Sequence, residues 1–161
     1  MIELTRTAPM APILMLGLMA GFFYAFSVCV MTGLDAISPD KAIAAMQAIN
    51  ASVRNPVFFV TFFLTPVFAV GASVLAFAIG DTRSGLFMAA AAGIYVLAAV
   101  VPTALVNVPM NEALAAIDPA GVDAAALWSN YSARWTFWNT VRTLTTTAAL
   151  AVAIFPLIES R

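Results

Sequence analysis

The chain contains no histidine at all and a single cysteine, Cys29. The first absence removes the side chain most often used as a general base and as a metal ligand near neutral pH. The second rules out an intramolecular disulfide framework. Charge is scarce as well. Only 9% of the 161 residues are charged, seven Lys or Arg against eight Asp or Glu, while 63% are hydrophobic. Soluble domains run near ~45–50% apolar and ~25% charged. Fifteen charges cannot coat a water-soluble surface of this size, and so much apolar material excludes disorder. The net charge of −1 excludes a nucleic-acid binder, because no cationic stripe exists to neutralise phosphates. No Gly-rich phosphate loop or dinucleotide fingerprint occurs. A di-iron bundle needs several Glu with Glu-x-x-His spacing, which is missing too. The composition points to an integral membrane protein in one domain, residues 1–161.

The few charges divide the chain. Arg6 to Asp35 encloses 28 uncharged residues, Arg54 to Asp81 encloses 26, Arg83 to Glu112 encloses 28 and Arg142 to Glu159 encloses 16. A helix crossing the hydrocarbon layer needs about 20 apolar residues. The first three gaps each fit one span. The fourth reaches span length only if its helix begins near Trp135, which puts Arg142 inside the membrane. The expectation is an all-α transmembrane four-helix bundle with spans at about 10–33, 57–80, 85–107 and 135–158. The first apolar run is longer than a signal-peptide core of ~7–15 residues and reads as a retained helix. Loop charges balance three against three, so the positive-inside rule leaves orientation open.

Gly80-Asp81-Thr82-Arg83-Ser84 reads as a tight turn, whereas the linkers 35–56 and 108–134 are long. In the first, Ser38-Pro39-Asp40 supplies an N-cap, a proline at the first helical position and an early acid. Ile43, Met46, Ile49 (or Asn50) and Val53 follow near helical spacing, so a short interfacial helix to about Arg54 is expected. In the second, Asp118-Pro119 and Asp123 are alternative starts for a helical linker that could run into the fourth span. Gly17-xxx-Gly21-xxx-Ala25 and Gly85-xxx-Ala89-xxx-Gly93 are small-residue ridges suited to close packing. Pro66 and Pro102 should kink their spans, with Thr61, Thr65 or Thr103 available for the carbonyls they free.

Alternating spans gather most of the polar residues on one membrane face. Asp35, Arg54, Asn107, Asn111, Glu112, Trp135, Trp138, Asn139 and Arg142 all fall there. The opposite face has flank charges alone. Arg142, about 10 Å into its helix at ~1.5 Å per residue, should face the bundle and be paired. Asp35 and Glu112 are the only acids expected to reach that depth. The competing reading has Arg142 snorkelling to the interface and Trp135 and Trp138 forming an aromatic belt. Asn107, Pro109 and Asn111 form either a helix C-terminal cap or amide groups aimed at a ligand. Phe22, Phe23, Phe26, Phe58, Phe59, Phe62, Phe63 and Phe68 hold eight of the twelve phenylalanines in two clusters. They face lipid or wall a pocket for a flat apolar ligand. No metal site emerges: Cys29 has no second thiol, and Met15 with Met19 makes a weak thioether pair.

Four segments, GFFYAFSVCVMTGL at 21–34, AMQAIN with the following NP at 45–56, NVPMNEAL at 107–114 and WTFWNTVRT at 135–143, together resemble the anthrone-oxygenase-like family of small membrane proteins. That family is similar to fungal enzymes that oxidise anthrones to anthraquinones, and most bacterial members have no assigned reaction. The family pattern on the fourth helix reads Trp-Asn-His-Val-Arg-Thr. Trp138, Asn139, Val141, Arg142 and Thr143 match it, and Thr140 stands at the His position. A chain built this way uses another base or lacks the activity.

The resemblance implies oxidation of a flat hydrophobic ligand by O₂ without metal or flavin. Asp35 or Glu112 would be the base, and Arg142 with Asn139 and Asn111 would stabilise an oxyanion. Asn107, Trp135 and Trp138 would complete the ligand site. No cofactor is expected. The expected partners are the lipid bilayer, a hydrophobic small molecule, and further copies or a larger membrane complex, with no nucleic acid. A bacterial inner membrane is the expected location. Two other functions fit the same inventory: a non-catalytic accessory subunit of a membrane complex, and a binder of a lipid or quinone.

Overall fold

A computed structural model describes residues 7–120 and 123–159, leaving Glu3, Arg6 and Arg161 outside the described residues. It consists of five helices, with no strand among the described residues: α1 (Met10–Asp35), α2 (Pro39–Val53), α3 (Pro56–Ala78), α4 (Thr82–Ala115) and α5 (Ala124–Glu159). All but α2 are long and apolar enough to cross a membrane. They stand as a square in which α1 and α4 each pack on α3 and α5, and α2 lies across one end against α1, α4 and α5.

Local chemistry sets most of the ends. Pro39 opens α2 after Ser38. The Ser38 hydroxyl bonds the Asp40 carboxyl, which lies below the usual carboxylate range for that reason, and it does not cap the helix. Asn55 caps α3 by accepting the Phe58 N–H at 3.0 Å, with Pro56 at the first helical position. Gly80, at φ +84°, ends α3. Its N–H bonds Phe77 O, and the next N–H, from Asp81, reaches back to Ala76 O, both at 3.0 Å. This pair of bonds needs a left-handed residue between them, which glycine supplies without strain. Asp81 then caps α4 through the Ser84 N–H at 3.0 Å. Of the two possible starts for the last helix, Asp123 is used, accepting the Ala126 N–H at 3.2 Å. From there α5 runs unbroken, so linker and span are one helix.

The third span is longer than its sequence suggested, because Pro109 does not end it. Pro102 and Pro109 each stand two residues after the end of a π turn, Val96–Val100 and Thr103–Asn107. Val101 N–H bonds Val96 O and Val108 N–H bonds Thr103 O, both five residues back. A wider turn takes up the proline ring where a regular turn would clash with it. A third π turn, Phe26–Val30, lies in α1, where the buried stripe steps from Phe26 to Met31.

The carbonyls four residues before Pro66 and Pro102 are met from neighbouring helices and not by the threonines of the same helix that the sequence suggests. Tyr95 Oη on α4 donates to Phe62 O at 3.2 Å, four residues before Pro66. Thr145 Oγ1 on α5 approaches Ala98 O, four before Pro102, at 3.4 Å. The small-residue ridges pack less than their spacing implied. Gly85 is buried, and a Cβ there would fall 2.8 Å from the Phe77 ring. Gly21, Ala25 and Ala89 are exposed. The close contacts run instead through buried alanines such as Ala69, Ala91, Ala92, Ala99, Ala149 and Ala153.

Two of these contacts can be tested by their effect on stability. Tyr95→Phe leaves a buried carbonyl unpaired and should cost about 1 kcal/mol, read by denaturant unfolding in detergent. In a Pro66→Ala background the helix supplies its own N–H, and the loss should at least halve. An equal loss in both backgrounds would contradict the role given to Tyr95. Asp81→Ala should cost about 1 kcal/mol for the lost cap. The Ser84 hydroxyl holds the Asp81 carboxyl below its usual range. Its contribution is therefore full above the unfolded-state pKa of ~3.9 and fades as pH falls through the lowered value. The pH dependence of unfolding below pH 4 should flatten in the variant.

Candidate functional site

The polar ends of the four long helices meet under α2, around a cavity of about 340 Å³. This lies at the small end of the ~300–1,000 Å³ usual for ligand pockets. Each wall has its own chemistry. Phe22, Phe23 and Phe26 of α1 and Phe58, Phe59, Phe62 and Phe63 of α3 supply the apolar side. Phe68, from the same sequence cluster, is exposed and lies outside it. Thr103, Asn107 and Asn111 of α4, spaced four apart, present one polar face. Trp135 and Arg142 come from α5, while Asn50, Arg54 and Glu112 stand at the end nearest α2.

Arg142 is 5% exposed, so it turns inward and does not snorkel. An arginine at the centre of a membrane helix costs roughly 2.5–3.5 kcal/mol on insertion scales. Here Nη1 donates to Thr103 Oγ1 and Nη2 to Asn139 Oδ1, each at 2.9 Å. The guanidinium carbon lies 4.7 Å from the Phe23 ring centre and 5.4 Å from that of Trp135. Both are within cation–π range. The expected partner carboxylates do not reach it. Among the described residues no acid lies within ion-pair distance of Arg142. Its charge is held by neutral dipoles and ring faces, and Nε–H is buried without an acceptor.

Asn139 does not line the cavity. Its Nδ2 donates to Phe23 O at 2.7 Å and to Ser27 Oγ at 2.8 Å, beside the π turn of α1. Those bonds fix which end of the amide faces Arg142. Asn111 is held in the same way. Its Oδ1 accepts from Tyr131 Oη at 2.8 Å and Trp135 Nε1 at 2.9 Å, which leaves its NH₂ for the cavity. Asn107 is 1% exposed, and neither polar atom of its amide has a partner. An unmet buried polar group costs about 1–3 kcal/mol, so the cavity wall carries unused hydrogen-bonding capacity beside a cation.

The two candidate acids separate in the fold. Glu112 lines the cavity and is exposed. Asp35 lies outside it, and Oδ1 accepts from Trp128 Nε1 at 2.9 Å and Ser132 Oγ at 2.7 Å, tying α1 to α5. Trp138 is half-buried, packs edge-on to the exposed Phe137, and does not reach the cavity. Thr140, at the family's His position, is exposed and bonds Ser27 Oγ at 3.2 Å. It too is outside the cavity.

Three participants escaped the sequence reading. In the sequence Thr103 reads only as a partner for a freed carbonyl, although its spacing of four from Asn107 and eight from Asn111 is a visible signal. Asn50 donates to Tyr131 Oη at 3.4 Å, and Ser27 orients Asn139. Neither had a sequence signal, because each depends on a contact between distant helices. The α2 roof is held by Gln47, whose Nε2 donates to Leu114 O at 2.8 Å and Ile117 O at 2.9 Å.

No curated protein and no solved structure matches the chain. The family model described as anthrone oxygenase matches residues 56–152. That stretch carries the cavity residues of α3, α4 and α5, including Asn107, Glu112 and Arg142. With more than half of its length matched, the chain belongs to the anthrone oxygenase family.

Proposed function

We propose that the cavity binds a flat tricyclic ketone of the anthrone type and oxidises its ring methylene with O₂. The observation that carries this reading is Arg142, a buried cation with no carboxylate partner among the described residues, set in the wall of an aromatic cavity. A neutral ligand gains little from such a charge. A ligand that becomes an enolate gains much, because the field acts in a low-dielectric site and needs no reorganisation.

Glu112, the acid that lines the cavity, removes a proton from the methylene carbon. The electron pair moves onto the carbonyl oxygen, which faces Arg142 and the free NH₂ of Asn111. The enolate carbon gives its electrons to O₂ and forms a C–O bond. The resulting peroxide takes a proton, and loss of water leaves a second carbonyl. Anthrone and O₂ become anthraquinone and water, the carbon oxidised and the dioxygen reduced. Phe22, Phe58, Phe62 and Trp135, which all line the cavity, hold the rings flat and exclude water from the carbanion. Thr140 takes no role in the reaction. The protein works in a membrane, which we place as a bacterial inner membrane.

Oxygen uptake with anthrone in detergent or vesicles tests this. Arg142→Gln should lower kcat about 10²-fold, the size usual for losing one oxyanion group. Glu112→Gln should lower it by a similar factor through loss of the base. Both variants should keep the elution volume and helix content of the parent. Unchanged turnover in Arg142→Gln would defeat the assignment of Arg142, and no anthrone-dependent uptake in the parent would defeat the reaction.

A further inference from the structure

We infer that the ligand enters the cavity sideways from the bilayer, through a gap between α3 and α4, and not from the aqueous side past Arg54 and Glu112. This rests on reading the cavity as a ligand site and adds where the ligand comes from: a molecule dissolved among acyl chains.

The two helices are in contact over only a portion of their lengths. Near the short turn they are tied by Ser73 Oγ donating to Gly85 O at 2.8 Å, and further along by Tyr95 to Phe62. Beyond Tyr95, α4 makes its π turns around Pro102, and its main contacts go to α5 and α2. The first two turns of α3 are therefore not closely packed on the last turns of α4, and both line the cavity. Phe59 and Phe63 border it on α3, and Val108 borders it on α4. All three line the cavity and yet are 43%, 53% and 38% exposed. Side chains that belong both to a cavity wall and to the outer surface mark its mouth.

Depth decides what lies outside that mouth. Phe59 and Phe63 stand about 5 and 10 Å from the start of α3 at ~1.5 Å per residue, and Val108 about 10 Å from the end of α4. The mouth thus opens at the level of the hydrocarbon and its boundary, bordered by apolar side chains. A flat aromatic ligand is concentrated there by partition and keeps its apolar surface covered on the way in. The aqueous route carries the opposite chemistry, an arginine and a glutamate under α2.

Two pairs of cysteines in a Cys29→Ser background separate the routes. Phe63→Cys with Val108→Cys spans the side mouth, and Arg54→Cys with Glu112→Cys spans the polar rim. Each reconstituted protein is bridged by a reducible bismaleimide. The readout is the rate at which vesicle-borne 9,10-anthraquinone quenches the fraction of the tryptophan fluorescence that Trp135→Phe removes. Bridging the side mouth should slow capture at least tenfold, and reduction should restore it. Bridging the rim should change it less than twofold. Slowing by the rim bridge alone, equal slowing by both, or by neither overturns the route. So does an unbridged protein with no Trp135-dependent quenching. Capture without oxygen uptake in the parent would defeat the oxidation reading alone, since entry is measured with a ligand that does not turn over.

Discussion

A single positive charge buried in an apolar bundle sets the terms for much of this structure. Among the described residues, no carboxylate neutralises Arg142. Its cost is offset by Thr103 on one side, Asn139 on the other, and the faces of Phe23 and Trp135. Three helices must therefore meet at one depth: α1 through Phe23, α4 through Thr103, and α5 through the rest. Asn139 in turn is locked by Phe23 O and Ser27. The electrostatic requirement of one side chain becomes a geometric requirement on the helices around it.

The prolines and π turns give the bundle room to meet that requirement. A regular α4 through Pro102 and Pro109 would clash with its own carbonyls. The two wide turns relieve the clash and let the helix continue to Ala115, bringing Thr103, Asn107 and Asn111 onto the cavity. Irregular turns of this kind are tolerated in a membrane when other groups serve the backbone, as Tyr95 and Thr145 do. On the apolar side, Phe59, Phe63 and Val108 line the same cavity and are also part of the outer surface.

Pairs of residues that look alike along the chain were separable only through contacts. Asp35 and Glu112 are each an acid at the polar end of a span. In the fold Asp35 is a cross-brace to Trp128 and Ser132, and Glu112 faces the cavity. Trp135 and Trp138 share a helix face by spacing, yet Trp135 reaches Asn111 and Trp138 turns to Phe137. Three residues leave two side chains about 60° apart around a helix at ~3.6 per turn, enough to put one inside a cavity edge and the other outside it.

Composition and charge spacing by themselves determined that this chain is a bundle of four membrane-length helices with one polar end, and that Arg142 is the residue out of place. Those properties depend on transfer free energies, which are sums over residues and can be read without knowing contacts. Helix ends were partly legible for the same reason: Pro39, the Gly80–Ser84 turn and Asp123, one of two possible starts, act on backbone within a few residues, whereas Ser38 does not make the cap its position suggests. Tertiary structure alone decided which partners hold Arg142, which acid faces the cavity, which carbonyls Tyr95 and Thr145 serve, and that Asn107 is left with none. Each of those depends on the rotation and depth of one helix against another, and π turns shift both by amounts that no local pattern announces.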